Sequence, residues 1–243
     1  MHWPGEDVVA KGVRERRFDL ARHGRTVPGL LWTPPDAEGP RPLVLIGHGA
    51  SGSKREGYVV ALGRRLVRHL GYAAAAIDGP VHGDRRQKSG PDLPFFDFGQ
   101  MWSSDATMTD AMVADWRATI DALQGEPDIG PGPAGYWGLS MGTILGLPLV
   151  AAEPRITVAV LGLMGLTGPT RSRILTDAPK VRGPVLFLMQ WHDELFPRDK
   201  VSELFDALGT PDKRLHAHPG KHGAVPPEEF EASERFLALH LGP

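Results

Sequence analysis

The sequence predicts an α/β protein: a doubly wound, mostly parallel β-sheet flanked by helices and preceded by an N-terminal β-hairpin. Three features predict it. Short uninterrupted apolar runs recur along the chain, as strands buried on both faces require. Segments of helical spacing alternate with those runs, and glycine- or proline-rich stretches punctuate the sequence between them.

After a polar start, the stretch 16–35 (RRFDLARHGRTVPGLLWTPP) holds two extended runs around HGR, a β-hairpin that ends in a Pro-rich loop. The run 42–49 (PLVLIGHG) reads as a buried strand, 58–71 (YVVALGRRLVRHLG) as a helix that stops at Gly71, and 72–78 (YAAAAID) as a second buried strand. Strand, helix and strand in this order make a parallel βαβ unit. A helical pattern follows over 105–125, then a Pro/Gly connector at 125–133, an extended AGYWG at 134–138 and an apolar helix over 141–153, whose later turns Pro148 is expected to kink. Apolar strands at 156–164 and 184–191, a helix at 198–209, a short strand at 213–219 and a final helix at 227–241 complete the alternation. Neither an internal repeat nor a low-complexity tract is present, and the 243 residues are expected to form one domain, 1–243.

At 41% hydrophobic and 23% charged residues, with a formal net charge of -2, the composition is that of an ordinary globular chain and excludes a disordered or strongly basic one. The arginine clusters at 14–17, 64–65 and 85–86 are scattered and read as solvated surface, so no nucleic-acid partner is expected. The chain has no cysteine, which removes disulfides, thiolate nucleophiles and Cys-ligated metals together. Its first residues lack a basic start followed by an apolar run, and its longest apolar runs are too short to span a bilayer. A cytoplasmic location without membrane association is the expectation.

The chemistry centres on GYWGLSMGT, 135–143, which contains Gly-x-Ser-x-Gly. Alone the pattern is weak, since serine is also a favoured helix N-cap. Its placement between a strand and a helix is more informative. A tight elbow there strains the serine backbone and demands small neighbours, which Gly138 and Gly142 supply, while Gly146 extends the four-residue spacing along the helix. Ser140 is therefore the expected nucleophile, and it needs a base and an orienting acid downstream.

His222 is the expected base because it lies in a Gly/Pro-rich loop between the last strand and the last helix, at the carboxyl edge where ligands bind in such sheets. His216 and His218 fall within a strand, His240 ends a helix, and His192 reads as a polar loop residue. Asp193 follows directly on an apolar strand and is the expected acid, with Glu194 and Asp199 read as first-turn acids favoured by the helix dipole. The oxyanion needs two amides, expected from Met141 and from Ala50, with Ser51 as the competitor for the second. The Gly-rich loop 46–54 lacks phosphate-loop spacing.

With HGAS after an early strand, GLSMG at the elbow, WHDELFP after a late strand and GKHG before the last helix, the chain resembles the α/β-hydrolase superfamily over residues 18–241. Within it, IDGPVHGDR at 77–85 makes it most similar to the cap-poor serine esterases of the dienelactone-hydrolase and acetyl-xylan-esterase-like group. Dienelactone hydrolases proper use a cysteine nucleophile, and this chain has none. Only the segment 165–183 stands where lid-bearing relatives insert a helical cap, so no large cap domain is expected.

The longer excursion is a loop at 83–105 carrying Phe95, Phe96, Phe98 and Trp102. Such aromatics wall an acyl pocket, anchor a dimer or pack over the sheet edge. Ser51, Phe95, Phe96, Trp102 and Trp191 are the expected substrate-binding residues. The resemblance implies hydrolysis of small-molecule carboxylic esters, without metal or organic cofactor, by a monomer or homodimer. Thioester, amide or acyl-transfer chemistry would use the same parts. A non-catalytic binding protein would keep the fold and break the triad.

Overall fold

The computed structural model of the chain describes residues 1–36, 38–86 and 94–242. Among them, nine strands form one sheet. The strands are β1 (Val8–Ala10), β2 (Val13–Arg22), β3 (Arg25–Thr33), β4 (Leu43–Gly47), β5 (Ala73–Ile77), β6 (Ala134–Gly138), β7 (Ile156–Gly162), β8 (Val185–Gln190) and β9 (Lys213–His218), in the order β1-β2-β3-β5-β4-β6-β7-β8-β9. The first three pair antiparallel, β3 joins β5 antiparallel, and β4 through β9 run parallel. The expected hairpin is β2–β3, whereas β1 comes from the polar start. It is three residues long and fully exposed, so no buried alternation marks it in the sequence.

Every residue of β4, β5 and β6 is buried, which accounts for runs without a polar position. On one face α1 (Gly57–Leu70) buries Val59, Leu62, Leu66 and Val67 at helical spacing. Each such side chain contributes roughly 1.5–3 kcal/mol through burial. The helix ends where Gly71, at φ 70°, turns left-handed and returns its N–H to the Leu66 and Val67 carbonyls. The last helix, α7 (Glu228–Leu241), shares that face through Phe236 and Leu237. On the other face lie α3 (Met108–Gln124), α4 (Met141–Ala152) and α6 (Arg198–Ala207), over a second cluster that includes Trp116, Tyr136 and Phe187. The helix α4 runs on through Pro148 to Ala152. No helix of the described residues is long and apolar enough to cross a membrane.

Two expectations need correction. The excursion 83–105 is not a plain loop: it contains helix α2 (Pro94–Ser104), while 87–93 lie outside the described residues. Proline at the first helical position and aromatics at 95, 98 and 102 fit this helix, although Gly99 interrupts its propensity. Nor are the arginines at 85–86 simply solvated: Arg85 and Arg25 each reach the wholly buried Asp115 at 2.7 Å. The segment 165–183 holds the short helix α5 (Arg171–Asp177) and no cap domain.

Because the chain leaves β4 toward β5 on one side and returns to β6 on the other, the loops after β4 and β6 diverge. A crevice opens between such loops at the carboxyl edge.

Candidate active site

Strand β6 ends at Gly138 and α4 begins at Met141, so Leu139 and Ser140 make the whole turn. Ser140 adopts φ 57° and ψ -118°, outside the ordinary regions for a residue with a Cβ. Its N–H donates to Gly162 O at 3.0 Å, and its carbonyl accepts from Thr143 (2.8 Å) and Ile144 (2.9 Å), which over-determine the strained position. It occupies the N-cap position, yet its hydroxyl makes no capping bond. The turn depends on missing side chains: a Cβ on Gly142 would lie 2.7 Å from Gly47 O, and one on Gly146 would lie 2.2 Å from the buried Tyr136 ring.

The Ser140 hydroxyl instead meets His222 Nε2 at 2.9 Å, and His222 Nδ1 meets Asp193 Oδ2 at 2.8 Å. A carboxylate accepts only, so the ring proton stands on Nδ1 and Nε2 receives the serine O–H. Asp193 leaves β8 with its other oxygen accepting from the amides of Leu195 (2.8 Å) and Phe196 (3.0 Å). Burial raises its pKa, but the His222 ring and those two amides outweigh burial and hold the carboxyl below its ordinary value.

Glu194, expected in a helix first turn, lies outside α6. Its Oε2 accepts the backbone N–H of His222 at 2.9 Å, and that bond leads the causes holding its pKa low. Asp199 stands in the first turn of α6, as expected. His216 and His218 lie on β9 and bond to Glu229 of α7 rather than to Ser140.

Among the described residues, the N–H groups of Met141, Ala50 and Ser51 meet no acceptor. Ala50 and Ser51 border the same pocket of about 260 Å³ as Ser140 and His222. Its apolar walls are Tyr58, Phe95, Trp137, Leu163, Val225 and Phe230. Of the five expected substrate-binding residues, Ser51 and Phe95 line it. Phe96 is 68% exposed and touches only the edge of Phe95 among aromatic rings of the described residues. Trp102 stacks on the buried Phe98 and donates to Thr170 at 3.0 Å, which fastens α2 down instead of walling the pocket. Trp191 lies half exposed under the Arg198 guanidinium, 4.1 Å away. A larger cleft of about 810 Å³ between the β2–β3 turn, α2 and α3 contains neither Ser140 nor His222.

Sequence reasoning missed the walls supplied by Tyr58, Trp137 and Phe230. Trp137 sits in the run directly before the elbow, and strand alternation places it on the face of the sheet opposite Tyr136. Phe230 stacks on Trp137 at 6.1 Å and comes from the first turn of α7.

A cold-adapted esterase from an Arctic intertidal metagenomic library, solved as a polyethylene glycol complex, superposes with a TM-score of 0.89 at 42% identity, over 99% of this chain and 100% of that one. The acetyl xylan esterase of Paenibacillus sp. R4 shares the fold at a TM-score of 0.77 and 18% identity, over 99% of this chain and 89% of that one. The protein YtaP of Bacillus subtilis (strain 168) is 30% identical over 153 residues, 59% of this chain and 50% of that protein. The chain thus matches about half the length of that curated relative. Residues 27–233 match the dienelactone hydrolase family, and with the α/β-hydrolase sheet and elbow described above the chain belongs to that family.

Proposed function

We propose that the protein is a serine hydrolase that cleaves carboxylic esters of small to medium acyl chains. The observation that carries the reading is the continuous hydrogen-bonded path from Ser140 through His222 to Asp193, at 2.9 and 2.8 Å, beside an open apolar pocket. The esterase at 42% identity supports the same reading.

In the first step Ser140 Oγ attacks the ester carbonyl carbon while His222 Nε2 takes the hydroxyl proton. The carbonyl π electrons move onto oxygen, and the resulting oxyanion is held by the amides of Met141 and Ala50. The tetrahedral adduct collapses, the C–O bond to the alcohol breaks, and His222 returns its proton to the departing oxygen. Water then attacks the acyl carbon as the same imidazole takes its proton; the bond to Ser140 Oγ breaks, His222 returns the proton to that oxygen, and the acid leaves. Asp193 holds the productive tautomer and stabilises the imidazolium that forms in each half. Leaving-group choice lies with the pocket and not with these three residues, so thioesters and activated amides would enter the same sequence.

A fluorophosphonate probe and p-nitrophenyl butyrate test the reading together. Wild-type protein is expected to be labelled once and to turn over the ester. Ser140→Ala should be unlabelled and lose about a thousandfold or more in kcat. An unlabelled, inactive wild type would favour a binding protein, and an active Ser140→Ala variant would remove Ser140 from the mechanism.

A further inference from the structure

The loop after β4 is fastened at its backbone atoms one after another. Gly49 N–H donates to Tyr58 Oη at 2.6 Å, the Ala50 carbonyl faces His82 Nε2 at 2.9 Å, and Lys54 N–H donates to Asp78 Oδ1 at 3.0 Å. The Gly49 carbonyl accepts from Gly52 N–H at 3.2 Å and lies 2.8 Å from His48 Nδ1. His48 and His82 meet edge to face, 5.0 Å apart, and both are buried.

The role of His48 Nδ1 is decided by the other side of the ring. Gly79 N–H donates to Nε2 at 2.8 Å, so Nε2 presents its lone pair and the ring proton stands on Nδ1, aimed at the Gly49 oxygen. Burial first, and His82 next, lower the His48 pKa to about 4, so the ring keeps this neutral tautomer across the neutral range. A peptide is one conjugated unit, and a donor on its oxygen makes its N–H a stronger donor in turn. The peptide that receives the His48 proton is Gly49–Ala50, whose opposite end is the unpartnered Ala50 N–H.

We propose that His48 is a positioning residue that acts through the Gly49–Ala50 peptide, orienting and strengthening the Ala50 amide as a donor to the oxyanion. The inference rests on the reading of Ser140 as nucleophile and Ala50 as second oxyanion donor. His82 faces the next peptide, Ala50–Ser51, and so serves as a comparison: its influence falls on the Ser51 amide.

The test uses substitutions that remove or keep each donor. His48→Leu removes the Nδ1 proton, whereas His48→Asn sets an amide N–H near the same point. His82→Leu and His82→Gln make the matching pair of changes at the ring that faces the Ala50 oxygen. Each variant is assayed for kcat and KM on p-nitrophenyl butyrate and for inhibition by an alkyl trifluoromethyl ketone, whose serine adduct carries an oxyanion. His48→Leu should lower kcat by about tenfold to a hundredfold with KM within about threefold, because only the transition state uses the donor. Ketone affinity should weaken by the same factor, and His48→Asn should recover most of both.

A folded His48→Leu variant with wild-type kcat and ketone affinity would overturn the proposal. So would His48→Asn falling as far as Leu, or a loss confined to the His82 variants, which would assign the donor to Ser51. Should His48→Leu fail to fold, His48→Gln, whose amide reaches the Nε2 side instead, replaces it: activity equal to His48→Asn would overturn the proposal. The underlying reading fails differently, through a wild type that does not bind the ketone or a Ser140→Ala variant that stays active.

Discussion

Glu194 Oε2 accepts the backbone N–H of His222 at 2.9 Å while the adjacent Asp193 accepts that residue's Nδ1 proton at 2.8 Å, so two consecutive acids hold one histidine by its main chain and its ring. The two bonds have different consequences. Asp193 sets the tautomer; Glu194 sets where the loop carries the ring. Asp193→Asn should therefore cost about a hundredfold or more in kcat through the wrong tautomer. Glu194→Ala should cost roughly threefold to thirtyfold through a loosened ring position. Steady-state kcat for both variants checks the order, and a Glu194 variant worse than Asp193→Asn would exchange the two roles.

The same pair sets the acid limit of the loop's anchoring. Both carboxyls have folded pKa values below their ordinary ones, Asp193 through the His222 ring and two amides against burial, Glu194 through the His222 N–H. A depressed folded pKa means that the stabilisation is complete above the unfolded value and disappears as pH falls through the folded one. Loop anchoring should thus be complete through the neutral range and give way only at pH values below the ordinary carboxylate range. Hydrogen exchange of residues 219–224 measured from neutral pH downward checks this. Glu194→Gln should show raised exchange already at neutral pH and a smaller further rise on acidification, and an acid response identical to wild type would remove Glu194 from the effect.

Much of the fold, and the meeting of Ser140, His222 and Asp193 at one edge of the sheet, was legible because each element obeyed one local rule. The strands β4 and β5 are buried on both faces and so read as solid apolar runs, and Ser140, Asp193 and His222 each follow directly on the carboxyl end of a strand. The pocket was less legible. Its walls Tyr58, Leu163 and Phe230 come from segments 105 and 67 residues apart and meet only through sheet order. Trp102 and Trp191 looked like wall residues because aromatic character is visible in sequence, whereas the partners that claim them, Phe98 with Thr170 and Arg198, are tertiary. Glu194 was misread because its acceptor role depends on a loop 28 residues later.

The elbow stores strain that substitutions at two positions should report in opposite directions. Gly146→Ala would press a methyl into the Tyr136 ring at 2.2 Å, deep in a packed core. It should destabilise by roughly 1–3 kcal/mol. Ser140→Gly removes the Cβ that makes φ 57° costly, and it should stabilise by about 1 kcal/mol or more while abolishing turnover. Urea midpoints measured against Ser140→Ala, which keeps the Cβ, isolate the strain. Equal midpoints for the glycine and alanine variants would show that none is stored there.

Acyl length should be read by the walls and not by the exposed aromatics. The pocket beside Ser140 encloses about 260 Å³, with Leu163 and Phe230 among its walls and Phe95 about half exposed at its rim. Each methylene that reaches apolar surface adds roughly 0.8 kcal/mol, and the gain stops where the wall stops. Across p-nitrophenyl esters from acetyl to dodecanoyl, kcat/KM should rise over the short chains and level off by roughly hexanoyl. Leu163→Ala and Phe230→Ala should move that plateau to longer chains by enlarging the enclosed space. Phe96→Ala should leave it unchanged, since Phe96 is 68% exposed and does not line the pocket. A rise continuing through dodecanoyl in the wild type, or a plateau moved by Phe96→Ala and not by the wall substitutions, would mean that the acyl chain runs out over the exposed aromatics of α2.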